Sequence, residues 1–153
     1  MSMGRNYASV LASSTAQSST LLIAALGMAA SPAVRPSIYD IVIGSDSTPA
    51  DNATTYAFQR FTTSGTGTAV TPQALDPADP AATALAQQAQ SVGGTLSGPF
   101  LMDIALNQRA TFRWVAAPGS ELRIPATSGS GIGCAAFVNT ANYNAKLTFM
   151  HNE

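Results

Sequence analysis

Charge of either sign is scarce in this sequence, and so are the residues that carry most enzyme chemistry. Only 10% of the 153 residues are charged, against about 25% in an ordinary soluble domain. Seven basic and eight acidic side chains leave a net charge of −1. That excludes a solvated acidic coil, and it excludes the Lys/Arg stripe of a nucleic-acid binder. Cys134 is the only cysteine, so an intrachain disulfide and a cysteine metal cluster are both ruled out. Its neighbours at 131–137 are small and apolar, which reads as a core residue rather than a nucleophile. His151 is the only histidine and stands third from the last residue. Chains tend to fray there, whereas a Ser-His-Asp site needs a clamped imidazole. Zinc requires about three or four His, Cys or acidic ligands, and no such spacing occurs. No cofactor, metal or catalytic residue is therefore expected.

Large apolar residues are thin as well. Leu, Ile, Val and Phe together number 31, while 28 residues are alanine. Sixteen serines and sixteen threonines take the place of charge. A near-neutral, charge-poor surface favours association, and interface cores are depleted in charge.

What is present alternates mostly with period 2. The apolar run 21–30 reads as a buried strand; a signal-peptide core is the alternative, but some twenty largely polar residues precede it, with Arg5 the only positive charge. The run is too short to span a membrane, which takes about 20 apolar residues. Strand patterns follow at 38–43, 54–62, 68–71, 100–106 and 110–116, then at 122–124, 132–138 and 145–150. With one or two strands before residue 31, about eight to ten are expected. Gly/Pro turns and the lack of a βαβ rhythm indicate an all-β antiparallel sandwich or barrel. One segment breaks the pattern: Asp79 suits an N-cap, Pro80 a first helical position, and the Ala/Gln run to Gln90 favours helix. A short helix or an extended excursion is expected near residues 76–90. Residues 1–20 lack a clear pattern and are expected to form a docking arm outside a single sandwich domain at 21–153.

Each candidate chemistry has a plainer structural reading. Asp76 and Asp79 are spaced like paired carboxylates, but both precede proline, so turn and cap roles account for them. Residues 129–133 are glycine-rich like a phosphate loop, yet no helix signal follows; a bulge or close backbone approach is expected. Arg109, Arg113 and Arg123 surround Trp114, and alternation places Arg113 and Trp114 on opposite faces. The expectation is a buried Trp with arginines outside or at a subunit contact, where arginine is enriched. Sugar binding needs exposed aromatics near a loop end; among Tyr39, Tyr56, Tyr143 and Trp114, only Tyr143 sits in a clear loop.

Several stretches in order, 35–40, 48–53, 59–62, 69–72, 75–81 and 106–122 (the last reading Leu-Asn-Gln-Arg-Ala-Thr-Phe-Arg-Trp-Val-Ala-Ala-Pro-Gly-Ser-Glu-Leu), resemble small proteins encoded beside the major capsid protein of tailed phages. The resemblance covers about residues 35–133. It implies a jelly-roll cement or decoration protein that forms homotrimers on the outer surface of the icosahedral head and stabilises contacts between capsid subunits. The implied partners are the major capsid protein and further copies of the chain, with no nucleic acid and no membrane. The family has no catalytic residues to carry over. Docking is expected through Arg5, Tyr7, Val10 and Leu11 of the arm and through Arg109 and Arg113. The alternative is a carbohydrate- or receptor-binding jelly-roll module of a phage fibre or spike.

Overall fold

The alternation read from residue 38 onward folds into strands, and so does the chain before it. A computed structural model describes residues 4–13, 21–28, 34–138 and 144–153. These contain the strands β1 (Asn6–Ser13), β2 (Ala24–Met28), β3 (Ser37–Asp46), β4 (Ala53–Thr63), β5 (Thr66–Val70) and β6 (Gln73–Ala74). They continue with β7 (Ala84–Val92), β8 (Thr95–Asn107), β9 (Phe112–Val115), β10 (Leu122–Arg123), β11 (Gly131–Val138) and β12 (Asn144–Asn152). Two antiparallel sheets form. The first runs β10-β3-β12-β1-β6, with β9 also pairing along β3; the second runs β5-β7-β2-β11-β4-β8. With β5–β7 set aside and β9 and β10 counted as one broken strand, the orders become β9/β10-β3-β12-β1 and β2-β11-β4-β8. Successive strands cross between the sheets in this order, except β4 and β8, which are neighbours in the second sheet; this is jelly-roll connectivity. The all-β, jelly-roll-like sandwich is as expected.

The core lies between the sheets. Leu11, Ile41, Ile43, Leu147 and Phe149 face it from the first sheet, and Leu26, Tyr56, Phe58, Ile132 and Cys134 from the second; all are essentially inaccessible. Pairing shifts between Met150 and His151, so that Asp40 opposes Met150 and Ile38 opposes His151. The extra residue in β3 is a bulge. It lets Ile38 and Ile41 both face inward despite their odd spacing, and turns Asp40 to the outer face. The glycine-rich stretch is a close-approach device. A Cβ on Gly131 would lie 2.2 Å from Phe61 Cζ and 2.3 Å from the Leu26 carbonyl oxygen.

Three expectations need correction. Residues 6–13 are an interior strand, hydrogen-bonded to β12 on one side and to β6 on the other, not an arm. Tyr7, Ser9, Leu11 and Ser13 point inward, so the two serines disguise the period-2 signal. Residues 14–20 of the expected arm lie outside the described residues. The helix near 76–90 is also absent: residues 84–92 are β7, paired to β2 and β5. The helix preference of Ala and Gln amounts to tenths of a kcal/mol per residue. It loses to a ladder on both edges and to burial of Ala84 and Ala86. The glutamines serve as acceptors instead, with Gln88 Oε1 taking the Ala12 N–H at 2.8 Å and Gln90 Oε1 the Leu22 N–H at 3.1 Å. Only 75–83 is the extended excursion. Asp76 and Asp79 hold its turn, where Asp76 Oδ1 accepts from the Ala78 N–H and the Asp76 carbonyl from the Asp79 N–H. Third, His151 does not fray; it is a fully buried core residue of β12.

Residues 64–94 thus form an insertion between β4 and β8. Its two ends touch at a neck without room for a side chain: a Cβ on Gly94 would sit 2.1 Å from the Thr63 carbonyl oxygen, and one on Gly65 2.2 Å from that of Val92. The insertion seals one flank of the sandwich, adding β6 beside β1 and β7 beside β2.

Candidate interaction surface

The six residues expected to dock elsewhere separate into three groups. Tyr7 and Leu11 are 1% and 0% exposed and cannot touch a partner while the sheet is intact. Arg5 and Arg109 sit at opposite ends of the sandwich. Arg5 pairs its backbone with Glu153 and lies 3.9 Å from Asp79, whereas Arg109 Nε donates to the Pro49 carbonyl at 3.2 Å. Val10 and Arg113 come together on one surface, the outer face of the first sheet.

That face follows from the register. Val10 opposes Thr148, Thr148 opposes Val42, and Val42 opposes Arg113, a row about 14 Å long over four strands. A parallel row runs Ala8, Met150, Asp40, Val115. Val10 is 64% exposed and Val115 57%. The only charges in these two rows are paired with each other. Arg113 Nε donates to Asp40 Oδ2 at 3.0 Å and to Oδ1 at 3.1 Å, and Nη2 donates to Oδ2. Hydrogen bonds to the buried Asp40 carboxylate, then its charge, push the pKa of the Arg113 guanidinium further up. Asp40 also raises Tyr39, after burial itself. Arg113 is therefore held in place as well as exposed, and sequence pattern alone could not reveal this because Asp40 lies seventy-three residues away.

A second surface is the flank opposite the insertion, where β8 ends one sheet and β9 and β10 end the other. Seven apolar residues are only partly buried against the main core, and six belong to this flank: Met102, Ile104, Leu106, Phe112, Trp114 and Leu122. Trp114 faces inward as expected, opposite Ile41, but it is half-exposed rather than buried because its strand has no neighbour beyond it. Phe100 and Leu101 extend the apolar surface along β8.

The chemistry-bearing side chains do not converge. The Cys134 thiol is buried and burial pushes its pKa well up, which suppresses the reactive thiolate. His151 stacks on Tyr7 with ring centroids 5.5 Å apart, and its Nε2 lies 3.5 Å from Glu153 Oε1. Glu153 also accepts from the Thr83 and Ala84 N–H groups, each at 2.8 Å, and from the Thr83 hydroxyl at 2.7 Å. Burial alone would raise this carboxyl; the His151 contact and the Thr83 and Ala84 hydrogen bonds outweigh it and hold the pKa at about 2. The result is a clamp fastening the insertion to β12. Among the described residues no three His, Cys, Asp or Glu side chains form a metal-binding group. Tyr56 and Tyr7 are buried, and Tyr143 lies outside the described residues.

Protein-family models, curated proteins and solved structures yield no match to this chain.

Proposed function

We propose that this chain is a structural virion protein, a cement or decoration protein that binds the outside of a phage head and stabilises contacts between major capsid protein subunits as a homotrimer. The observation that carries the reading is the outer face of the first sheet around Val10, Val42, Thr148, Met150 and Val115, largely apolar and exposed at Val10 and Val115, with its charges already paired as Arg113–Asp40 and Lys146–Asp46. Such a face suits permanent contact with another protein surface, since it can be buried without stranding a charge. The sequence resemblance in residues 35–133 points the same way. In the proposed mechanism a trimer touches several capsid subunits together. Each further contact then forms at high effective concentration, and individually weak patches add up to a firm clamp.

Cryo-electron microscopy of particles carrying the protein tests this. The expected result is density for one copy per capsid subunit across the outer shell, with the Val10–Arg113 face against the capsid. Density confined to the tail or the vertices would overturn it in favour of the fibre or spike module, and absence from particles would overturn both.

A further inference from the structure

We infer that copies of this chain join side by side through the flank left open by the fold, the β8 edge of one copy meeting the β9–β10 edge of the next. This deepens the proposed homotrimer and takes the number three from it; the surface and its polarity come from the fold. The insertion closes the other flank through its β6 and β7 strands, the Gln88 bond to Ala12 and the Glu153 clamp. Nothing in the described chain covers the β8 side. Six of the seven half-buried core residues line it, so among the described residues the hydrophobic core is most incomplete there. Pro99 and the irregular register at 97–102 guard the first half of this edge strand, but residues 102–107 pair regularly, carry a single charge, Asp103, and remain an open template for association.

The size of the flank and its charges argue for a second copy as occupant. β8 runs irregularly beside the 11 residues of β4, a length of about 37 Å, and two sheets about 10 Å apart with a side-chain layer outside each make a flank about 20 Å across. That is about 740 Å² on each copy, close to the roughly 800 Å² that a protein gives up in a specific interface, divided here between two neighbours. The two rims carry opposite charge. Asp103 on the β8 rim is exposed, with no ion pair among the described residues. Arg123 on the β10 rim is exposed too. Glu121 feels the charge of Arg123 but forms no ion pair with it among the described residues, and its Oε1 accepts from the Gly119 N–H at 3.0 Å. Pairing unlike rims brings Asp103 toward Arg123 of the next copy, while pairing like rims sets Asp103 against Asp103. The favoured contact is therefore β8 to β9–β10, and repeating it around an axis closes a ring.

Analytical ultracentrifugation of the full chain, without capsids, tests the inference. The wild type is expected at three times 15.6 kDa. Asp103→Arg and Arg123→Asp, both exposed substitutions whose folding circular dichroism can verify, should each weaken assembly about tenfold or more. The double variant should restore it. An equimolar mixture of the two single variants gives a further sign: alternating copies satisfy every contact in an even ring, but a mixed ring of three always retains one like-charge contact, arginine–arginine or aspartate–aspartate. Partial recovery in the mixture beside full recovery in the double variant supports the trimeric ring. A trimer indifferent to both substitutions overturns this surface but leaves the capsid reading standing, and full recovery in the mixture overturns the ring of three. A wild type monomeric at every concentration overturns the inference, while decoration of particles is judged separately by imaging.

Discussion

Glu153 offers the sharpest quantitative test of how the insertion is fastened. Its carboxyl titrates at about 2 in the folded chain against an ordinary 4.5. Between those values the unfolded chain binds more protons than the folded one, so stability rises with pH through this window. The contribution is fully present above about pH 4.5 and is lost as pH falls toward 2. The displacement corresponds to roughly 3 kcal/mol. Residual solvent contact at the end of the sheet reduces the expected value to about 2 kcal/mol. In a domain of this size that is about 4–8 °C in Tm, and a substantial part of a total of about 5–15 kcal/mol. Glu153→Gln keeps the shape and removes the charge. Urea unfolding followed by the fluorescence of Trp114, across pH 2–7, should show the variant less stable by this amount at pH 7. The two curves should converge at the acid end. Because Asp46 and Glu121 also titrate low, the wild-type-minus-variant difference is the quantity to read. A difference constant with pH would show that Glu153 contributes shape alone, and the clamp argument would fail.

Two further outcomes follow from the packing. Gly94→Ala places a methyl against the Thr63 carbonyl and the Gly65 backbone, and an overpacked neck should cost about 1–3 kcal/mol; an unchanged urea midpoint would mean that the neck yields freely. Arg113→Ala should lower Tm at pH 7 more than Asp40→Asn does. The first leaves a carboxylate buried without its partner, whereas the second leaves a guanidinium that water can solvate. The opposite order would contradict the burial of Asp40.

Most strands from β3 onward were legible because their apolar residues alternate cleanly, as in Tyr56 and Phe58 or Phe112 and Trp114. The run at 21–30 was legible for a different reason, an unbroken apolar stretch: Leu22 through Leu26 are all inaccessible and Ala24–Met28 form β2, while residues 29 and 30 lie outside the described residues. Two elements were hidden by composition. Ser9 and Ser13 occupy inward positions of β1, so the strand looks polar, and an unsuitable candidate set containing Tyr7 and Leu11 followed from that. In β7, helix-forming Ala and Gln are recruited as small core residues and backbone acceptors, roles that depend on β2 and β1 and have no local signature. The interaction face was half legible: Val10 and Arg113 were named singly, but only the register through β12 and β3 places them in one row. The open flank had no sequence signal, since an inward apolar residue reads the same on an edge strand as in the middle of a sheet.

The register also sets an order of events. β12 lies between β1 and β3, and β11 lies between β2 and β4, so in both sheets an early pair of strands waits for a late one to fill the gap between them. On a ribosome the first half of the chain can make almost none of the central ladders. Until residues 144–152 emerge, β1 and β3 have no common neighbour, and Tyr7, Leu11 and Ile41 have no sheet to cover them. Folding therefore waits for β12 and is slow, as pairing β1 with β12 closes a loop that spans nearly all of the described strands. Nascent chains stalled before β12 would be the aggregation-prone species.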